Sequence, residues 1–374
     1  MAGIYLHIPF CKQKCSYCNF HFSTDLKLKD QMVQALLNEI KLRAMDTRET
    51  LQTIYLGGGT PSLLDLDELN ALFETIYKHY SVADQPEITL EANPDDLSFE
   101  KLTAFKSTPI NRLSIGVQSF FEEDLRLMNR AHNAKEAINS VRWAKEQGFS
   151  NITIDLIYGG QTTTDAMWEK NLETALALDV PHISAYALTL EPKTILDFQV
   201  KHKLISKPDE DKQERQFRTL CQTLTTNGFI QYEISNFGKE GYFSQHNSNY
   251  WNGQTYLGIG PSAHSFDGKN RSWNVSNNAV YIKSLKENTI PLTIESLSEN
   301  DRFNELVMIG LRTIYGIDLN LIQREFPTSF YEELNRDLLP LLRDGLVKQN
   351  GTTVTLTEKG KFLADGIASN LFKI

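Results

Sequence analysis

The sequence predicts an α/β fold in which an open (βα)6 partial barrel of the TIM type precedes a smaller α+β domain. Three observations support this prediction. Six β-rich runs alternate with amphipathic stretches between residues 3 and 228, the composition changes near residue 229, and helical patterns after residue 298 lead into a hairpin. Repeated βα units indicate a parallel sheet, and an open doubly wound sheet is the alternative for the first part.

The elements of the first part follow from hydrophobic periodicity. In the first helical stretch, Leu28, Met32, Leu36 and Ile40 recur every four residues, and Gly148 stands where a helix C-cap is expected. Strands are predicted at 3–8, 53–57, 87–92, 111–117, 152–158 and 182–188. Helices are predicted at 26–44, 66–80, 98–106, 134–147, 165–179 and 209–227.

The remainder of the chain predicts two further regions. Residues 229–297 are rich in Asn, Gly and aromatic residues, and we expect irregular structure that caps the barrel. Residues 298–374 resemble a winged-helix domain, with an Asn350-Gly351 turn of type I′ in its hairpin. Because this region carries nine basic and eleven acidic residues, it lacks the basic face that DNA binding requires. We therefore divide the chain into domains at 1–228, 229–297 and 298–374.

Composition excludes several classes of function. The 374 residues are 41% hydrophobic and 23% charged, which is typical of a globular protein with a sizeable core. No apolar run approaches the roughly 18 residues that cross a bilayer, so membrane insertion is not expected. A net charge of −9 makes nucleic acid an unfavourable partner. Reduced thiols fit a reducing compartment, and we expect a cytoplasmic protein.

Three of the four cysteines, Cys11, Cys15 and Cys18, lie within eight residues. Disulfides are disfavoured because such short loops are strained and one thiol would remain. Zinc is a stronger alternative, since His21 could complete a closed Cys3His site. Thiolates are also the usual ligands of iron–sulfur clusters, and three of them on one loop would leave one iron of a [4Fe-4S] cube open. The spacing favours the cluster.

Other polar residues follow the predicted strands at their carboxyl ends. The cysteine loop follows the first strand, the turn 57–61 the second, residues 91–94 the third, Gln118 the fourth, and Asp155 lies on the fifth. In parallel α/β barrels the carboxyl ends of the strands form the rim that carries the active site. We expect all of these residues at one rim.

The Cys-x3-Cys-x2-Cys loop together with Gly57-Gly58-Gly59-Thr60-Pro61 resembles the radical S-adenosylmethionine (SAM) superfamily. The combination is far more specific than either motif alone. The resemblance implies that SAM binds the open iron and that an electron from the cluster can cleave it to a radical. We expect the glycines to expose N–H groups and to let the strand end approach the cofactor closely.

Segments 5–11, 90–94, 115–120 and 154–159 are similar to the oxygen-independent coproporphyrinogen oxidase family within that superfamily. The similarity covers nearly the whole chain. It implies that SAM is surrounded by Tyr5, Gly58, Gly59, Thr60, Glu91, Gln118, Arg130 and Asp155.

Two departures distinguish this chain from the oxidases of that family. Phe20 stands where the oxidases have a fourth cysteine, and the first predicted strand begins at residue 3, without the amino-terminal extension of the oxidases. These features, and the run His246-Asn247-Ser248-Asn249-Tyr250-Trp251, are similar to the haem chaperone branch. This likeness implies that the chain binds haem, passes it to an acceptor protein and exchanges between monomer and homodimer. We count Phe20 among the cofactor-binding positions.

His246 is the candidate haem ligand because histidine commonly ligates haem iron and Tyr250 and Trp251 flank it. The alternative is a hydrogen-bonded residue that shapes the barrel lid. His264 and His7 are weaker candidates, and His7 is better placed to orient the cluster loop. Cys221 is expected to be a buried apolar group.

Three functions therefore remain open: a haem chaperone, a coproporphyrinogen III oxidase that decarboxylates its substrate by a radical mechanism, and a zinc-stabilised interaction module. Whether SAM is cleaved, and hence whether the protein is an enzyme, is left open.

Overall fold

Six parallel strands form the central part of the computed structural model, which describes residues 2–374. They are β1 (Ala2–Ile8), β2 (Leu51–Gly58), β3 (Val82–Ala92), β4 (Arg112–Gln118), β5 (Asn151–Tyr158) and β6 (His182–Ala187). Each strand pairs in parallel with the next one along the chain. The partial barrel is confirmed and the doubly wound alternative is wrong, because a doubly wound sheet reverses its strand order and this sheet does not.

Helices connect these strands as the periodicity predicts. They are α1 (Lys29–Leu42), α2 (Leu66–His79), α3 (Phe99–Lys106), α4 (Glu122–Leu127), α5 (Ala134–Glu146), α6 (Asp165–Ala177), α7 (Ile195–Lys201) and α8 (Glu210–Thr226). Capping boxes at Asp65/Glu68 and Asn133/Glu136 begin α2 and α5. The periodicity does not predict α4 and α7, which are too short to display a clear helical period.

The two faces of the central strands differ in polarity. On β1, Ile4, Leu6 and Ile8 are almost completely buried in the main core with the helices. The alternate positions face the barrel lumen, where polar side chains from neighbouring strands meet: Tyr55 donates to Glu91 (2.8 Å). Between β4 and β5, Ser114 donates to Asp155 (3.4 Å). The lumen is therefore lined by polar groups.

Residues 229–297 form regular structure, so the expectation of an irregular cap is wrong. They contain β7 (Ile230–Glu233), β8 (Asn236–Gly238), α9 (Gln245–Trp251), β9 (Tyr256–Ile259), β10 (His264–Phe266), β11 (Asn270–Asn274), α10 (Asn278–Lys286) and β12 (Leu292–Ser296). The strands extend both edges of the sheet to twelve strands in the order β12-β11-β10-β9-β1-β2-β3-β4-β5-β6-β8-β7. Strands of three to five residues are too short to show the alternation that identifies them in a sequence.

The C-terminal region has a hydrophobic core of its own, which includes Phe303, Val307 and Val354. Its elements are α11 (Glu299–Arg312), β13 (Ile317–Asp318), α12 (Leu319–Glu325), α13 (Thr328–Arg343), β14 (Val347–Asn350), β15 (Thr353–Leu356), α14 (Glu358–Lys361) and α15 (Ala364–Asn370). The hairpin is present, but its turn differs from the prediction. Asn350 pairs with Thr353, so Gly351 and Thr352 are central, and only Gly351 has a positive φ (60°). This pattern is typical of type II′.

Contacts of Arg312 join the C-terminal region to the barrel. Its guanidinium donates to Glu233 on β7 (2.8 Å) and lies 5.5 Å from the centroid of the Trp251 ring. Backbone bonds between Ile234 and Arg312 and between Ile314 and Tyr232 extend the contact. The three-domain division remains a prediction. Within residues 2–374, none of the helices is both long and apolar enough to cross a bilayer.

Candidate functional site

The cysteine loop leaves the carboxyl end of β1 and presents three half-buried free thiols. Backbone bonds close the loop at its base, from Cys11 N to Ser23 O (3.0 Å) and from Ser23 N to Pro9 O (2.9 Å). The structure therefore places the cysteines at the rim where the sequence predicts them.

Distant segments hold the cysteine loop in shape. Ser16 N donates to Met128 O (3.0 Å), Ser16 O accepts from Leu196 N (2.8 Å), and the Asn129 side chain donates to Lys14 O (2.7 Å). Asn129 adopts a left-handed conformation, with φ of 52°, that aims it at the loop. Because these partners are more than 100 residues from the loop, the folded barrel determines its conformation.

Two polar donors lie against the sulfur atoms. Thr60 Oγ1 donates to Cys11 Sγ (3.4 Å) and Arg130 Nη1 donates to Cys15 Sγ (3.1 Å). Burial raises the pKa of the Cys11 thiol to about 12 and also raises the pKa of Cys18. A metal ligand must be a thiolate, so a bound cation is needed to ionise these groups, and the donors then stabilise the sulfur charge.

Arg130 is the centre of a hydrogen-bond network at the rim. Its Nη2 donates to Asn93 Oδ1 (2.5 Å) and to Gly116 O (2.9 Å), and Asn93 Nδ2 donates to Thr60 (2.9 Å). A Cβ on Gly116 would lie 3.0 Å from Gln118 Nε2 and 3.3 Å from Arg130 Nη2, so glycine makes room for both. Sequence reasoning assigned no role to Asn93 or Gly116, although both lie within the quoted motifs.

The glycine turn packs against the cysteine loop. A Cβ on Gly58 would lie 2.4 Å from the His7 ring, and one on Gly59 would lie 2.6 Å from the carbonyl oxygens of Ile8 and Phe10. Gly58 N donates to Glu91 Oε2 (3.1 Å), Gly59 N to Ile8 O (3.0 Å) and Thr60 N to Phe10 O (2.7 Å). The expectation of exposed N–H groups is therefore wrong, because the protein itself uses them.

Glu91 and Asp155 place two half-buried carboxyl groups in the upper lumen, the part near the carboxyl ends of the strands. Burial raises the pKa of Glu91 to about 7, with a further contribution from the Asp155 charge, and burial raises the pKa of Asp155 to about 6. Gln118 ends β4 with a φ of 66°, a conformation that is costly for a residue other than glycine and that clusters at functional sites. Carboxylates and an amide can bind hydroxyl and ammonium groups of a ligand.

His7 connects Tyr5 to the chain beyond the cysteine loop. Its Nε2 donates to His21 O (2.8 Å) and its Nδ1 accepts from Tyr5 (3.1 Å). Burial lowers the pKa of His7 to about 4, so the ring is neutral. These contacts agree with the expectation that His7 orients the loop. The His21 ring bonds to Asn278 (2.7 Å), and within residues 2–374 no three His, Cys, Asp or Glu side chains are arranged to hold a single metal ion. The closed Cys3His site is not formed.

Phe20 lies on the surface beside the cysteine loop. Its side chain is 68% exposed and borders a surface pocket with Cys18, Lys193 and Thr194. The position is adjacent to the predicted cluster, but Phe20 does not face the lumen residues named above.

His246 lies at the opposite end of the lumen from the cysteines. It is 2% exposed, its ring nitrogens bond to Thr53 (2.7 Å) and Tyr250 (2.8 Å), and its ring stacks on Tyr55 with 4.9 Å between centroids. Burial lowers its pKa to about 3. With both nitrogens engaged, His246 cannot ligate haem iron in this conformation, and the alternative of a hydrogen-bonded structural residue is the better interpretation.

These features define the class of protein. A family model of the radical SAM superfamily matches residues 5–175, and the HemN C-terminal domain model matches residues 297–363. The coproporphyrinogen III oxidase HemN from Escherichia coli, described as a radical SAM enzyme, superposes with a TM-score of 0.86 at 25% identity. The match covers 100% of this chain and 90% of that chain. The chain is a radical SAM protein.

Curated relatives define the family more narrowly. The chain is 33% identical to the heme chaperone HemW of Bacillus subtilis over 98% of both chains. It is 39% identical to HemW of Escherichia coli over 70% of this chain and 69% of that protein. The chain belongs to the HemW family.

Radical SAM proteins hold a [4Fe-4S] cluster and SAM, and the residues at the rim fit both groups. Three thiols share one loop, donors contact two of the sulfurs, and carboxyl and amide groups lie in the adjoining lumen. When bound, the two groups supply one-electron chemistry.

Proposed function

We propose that this protein is a haem chaperone that binds haem and passes it to a haem-requiring acceptor protein. The observation that carries the proposal is the match to the Bacillus subtilis heme chaperone HemW over 98% of both chains. Cys11, Cys15 and Cys18 hold the cluster, and the upper lumen holds SAM. A cytoplasmic location and a haem-dependent exchange between monomer and homodimer belong to the same proposal.

The SAM positions in this proposal combine resemblance with geometry. Glu91, Gln118 and Asp155 lie on the adjoining strands β3, β4 and β5, and the Arg130 side chain reaches Gly116 on β4 from the connection after α4, so the four can contact one ligand. Tyr5 and Thr60 support neighbouring groups, and Gly58 and Gly59 shape the turn. Phe20 is proposed to lie beside the bound cluster and SAM on the surface side of the cysteine loop.

A coproporphyrinogen III oxidase is the second candidate, favoured by the TM-score of 0.86 to HemN. Phe20 argues against it, because a phenylalanine replaces the fourth cysteine of the oxidases. The sequence identity to the Bacillus subtilis chaperone is also higher, 33% against 25% for HemN.

One experiment separates the two candidates. The protein is reconstituted with iron and sulfide without oxygen, titrated with hemin, and mixed with an apo-haemoprotein whose holo spectrum is known. We expect stoichiometric haem binding, spectral transfer to the acceptor, and no decarboxylation of coproporphyrinogen III in the presence of SAM and a reductant. Decarboxylation without haem transfer would reverse the assignment. Size-exclusion chromatography with and without hemin tests the homodimer.

A further inference from the structure

We propose that haem docks on the exposed face of α7 and the turn after it, with His202 Nε2 as the ligand to iron. This inference rests on the haem-binding function proposed above and names the site. His202 replaces His246 as the candidate haem ligand, because both ring nitrogens of His246 are hydrogen-bonded inside the barrel.

His202 is prepared for metal coordination by its own helix. Its Nδ1 lies 2.8 Å from the carbonyl oxygen of Phe198. Because a carbonyl only accepts, the ring hydrogen is on Nδ1 and the lone pair is on Nε2. Histidines that ligate metals commonly donate their other ring N–H to a carbonyl or carboxylate in this way. The side chain is exposed, and its ring packs against the Phe198 ring at an angle of 31°, with 3.9 Å between centroids.

The other histidines of residues 2–374 lack this combination. His7, His182 and His246 are buried and use both ring nitrogens, and His132 is also buried. The His21 ring bonds to a side-chain oxygen of Asn278. Among the exposed or half-exposed histidines, only His202 has a hydrogen bond from its ring to a backbone carbonyl in the described contacts.

Apolar surface lies beside the His202 ring. Phe198 is 55% exposed and Leu204, two residues after His202, is 66% exposed. Phe198 and His202 are four residues apart and lie on one exposed face at the end of the helix, whereas Thr194, one turn earlier, is buried. Lys193 and Thr194, which precede α7, border the pocket that contains Phe20 and Cys18, so the amino-terminal end of this helix lies beside the cysteine loop. A flat porphyrin can cover such a stripe.

The charge of this segment suits the propionates of haem. Residues 192–207 contain four lysines and one aspartate in a chain of net charge −9. Lys201 pairs with Asp197 (2.8 Å), whereas Lys193, Lys203 and Lys207 form no ion pair with a described residue. Three lysines without a described ion pair, in the same segment as the exposed Phe198 and His202, match an anionic, iron-containing macrocycle. An exposed site with a single ligand also permits the fast release that a chaperone needs.

The test compares His202→Ala with His264→Ala, which removes another exposed imidazole, on β10. Full-length reconstituted protein is titrated with hemin and with iron-free protoporphyrin IX. We expect His202→Ala to raise the Kd for hemin at least tenfold and to change the ferric electron paramagnetic resonance spectrum. Its Kd for protoporphyrin IX should stay within twofold, and His264→Ala should resemble wild type. A triple Lys193→Gln, Lys203→Gln, Lys207→Gln variant should weaken both ligands.

The outcomes distinguish the two proposals. If the wild-type protein does not bind hemin, the proposed function fails. If the wild type binds hemin and His202→Ala matches it in affinity and spectrum, only the α7 site is overturned. Because His202 is exposed, its replacement is not expected to affect folding. A His202→Tyr variant adds a second readout, since it should bind hemin with a spectrum typical of a phenolate ligand.

Discussion

The two ends of the barrel lumen carry similar residues but use them differently. At the lower, amino-terminal end of the strands, His246 bonds to Thr53 and Tyr250, and His182 bonds to Thr153 and Tyr232. The ring nitrogens of both histidines are thus paired with hydroxyl groups in the interior of the protein. At the upper end, thiols and carboxyl groups lie side by side, and burial raises the pKa values of Cys11, Glu91 and Asp155.

This difference shows that residue type alone does not identify a ligand site. Histidine, tyrosine and glutamate occur at both ends, but the lower set is self-complementary and stabilises the fold. The upper set consists of buried acidic groups whose pKa values are raised chiefly by burial, an arrangement that a cation or a ligand with donors would relieve. Substitutions at the two ends should therefore have different consequences.

The largest expected effect is on the cluster. In Cys11→Ser, iron and acid-labile sulfide after anaerobic reconstitution should fall to about a tenth of wild type or less, because a thiolate ligand is lost. The free energy of unfolding of the apoprotein should change little. Cys221→Ser, a buried cysteine outside the loop, is the control and should retain its cluster. Normal cluster content in Cys11→Ser would show that the loop is not the metal site.

At the lower end the largest effect should be on stability. His246→Ala should lower the free energy of unfolding by about 3 kcal/mol, because it leaves a cavity and unpaired partners at Thr53 and Tyr250. Urea denaturation measures this change. Cluster content and SAM binding of the folded variant should match wild type, and a selective loss of SAM binding with normal stability would contradict a structural role.

The raised pKa of Glu91 predicts a dependence of stability on pH. The folded apoprotein holds the proton up to a pH of about 7, whereas the unfolded chain loses it near its ordinary value, so the folded state binds more protons between the two. The stability from this group is therefore lost as the pH rises towards and through 7. The unfolding free energy of the wild type should fall between pH 5 and pH 8. In Glu91→Gln this fall should be smaller by about 1–3 kcal/mol.

The measurement is urea denaturation of wild type and Glu91→Gln at both pH values without metal. Asp165→Asn is a matched control, because the pKa of Asp165 is lowered by Gln216 and Arg215 and that residue is not in the lumen. An identical pH profile for wild type and Glu91→Gln would show that Glu91 is ionised throughout this range.

The smallest effect is expected at Phe20. Because its side chain is 68% exposed, Phe20→Ala should change the free energy of unfolding by less than about 0.5 kcal/mol. A loss of SAM or haem affinity with unchanged stability would support its proposed place beside the bound groups. A large loss of stability would instead place Phe20 among the structural residues of the loop.

The sequence predicts the barrel well because its strands and helices are long and periodic. The positions of Glu91, Gln118 and Asp155 at one rim follow from their places at or near the carboxyl ends of strands, which requires no knowledge of side-chain contacts. The alternation of residues within a strand also indicates which side chains face the lumen. Every second residue of β1 packs in the outer core, so the residues between them face inward.

The sequence does not show which polar groups form hydrogen bonds with one another. The motif suggests that His246 is a ligand. In the structure, Glu87 accepts a hydrogen bond from its backbone N–H, and the Thr53 hydroxyl is hydrogen-bonded to its ring. Both partners are more than 150 residues from His246 in the sequence. The N–H groups of Gly58 and Gly59 are likewise used by β3 and β1. The edge strands were missed because pairing, rather than periodicity, makes short polar segments into strands.

The position of β1 has a consequence for synthesis of the chain. It pairs on one side with β2, which follows within 60 residues, and on the other with β9, whose last residue is Ile259. At translation rates of roughly 5–20 residues per second, the first strand emerges about 12–50 s before its second neighbour. A nascent chain of this kind keeps one side of its earliest strand uncovered until two thirds of the polypeptide has left the ribosome.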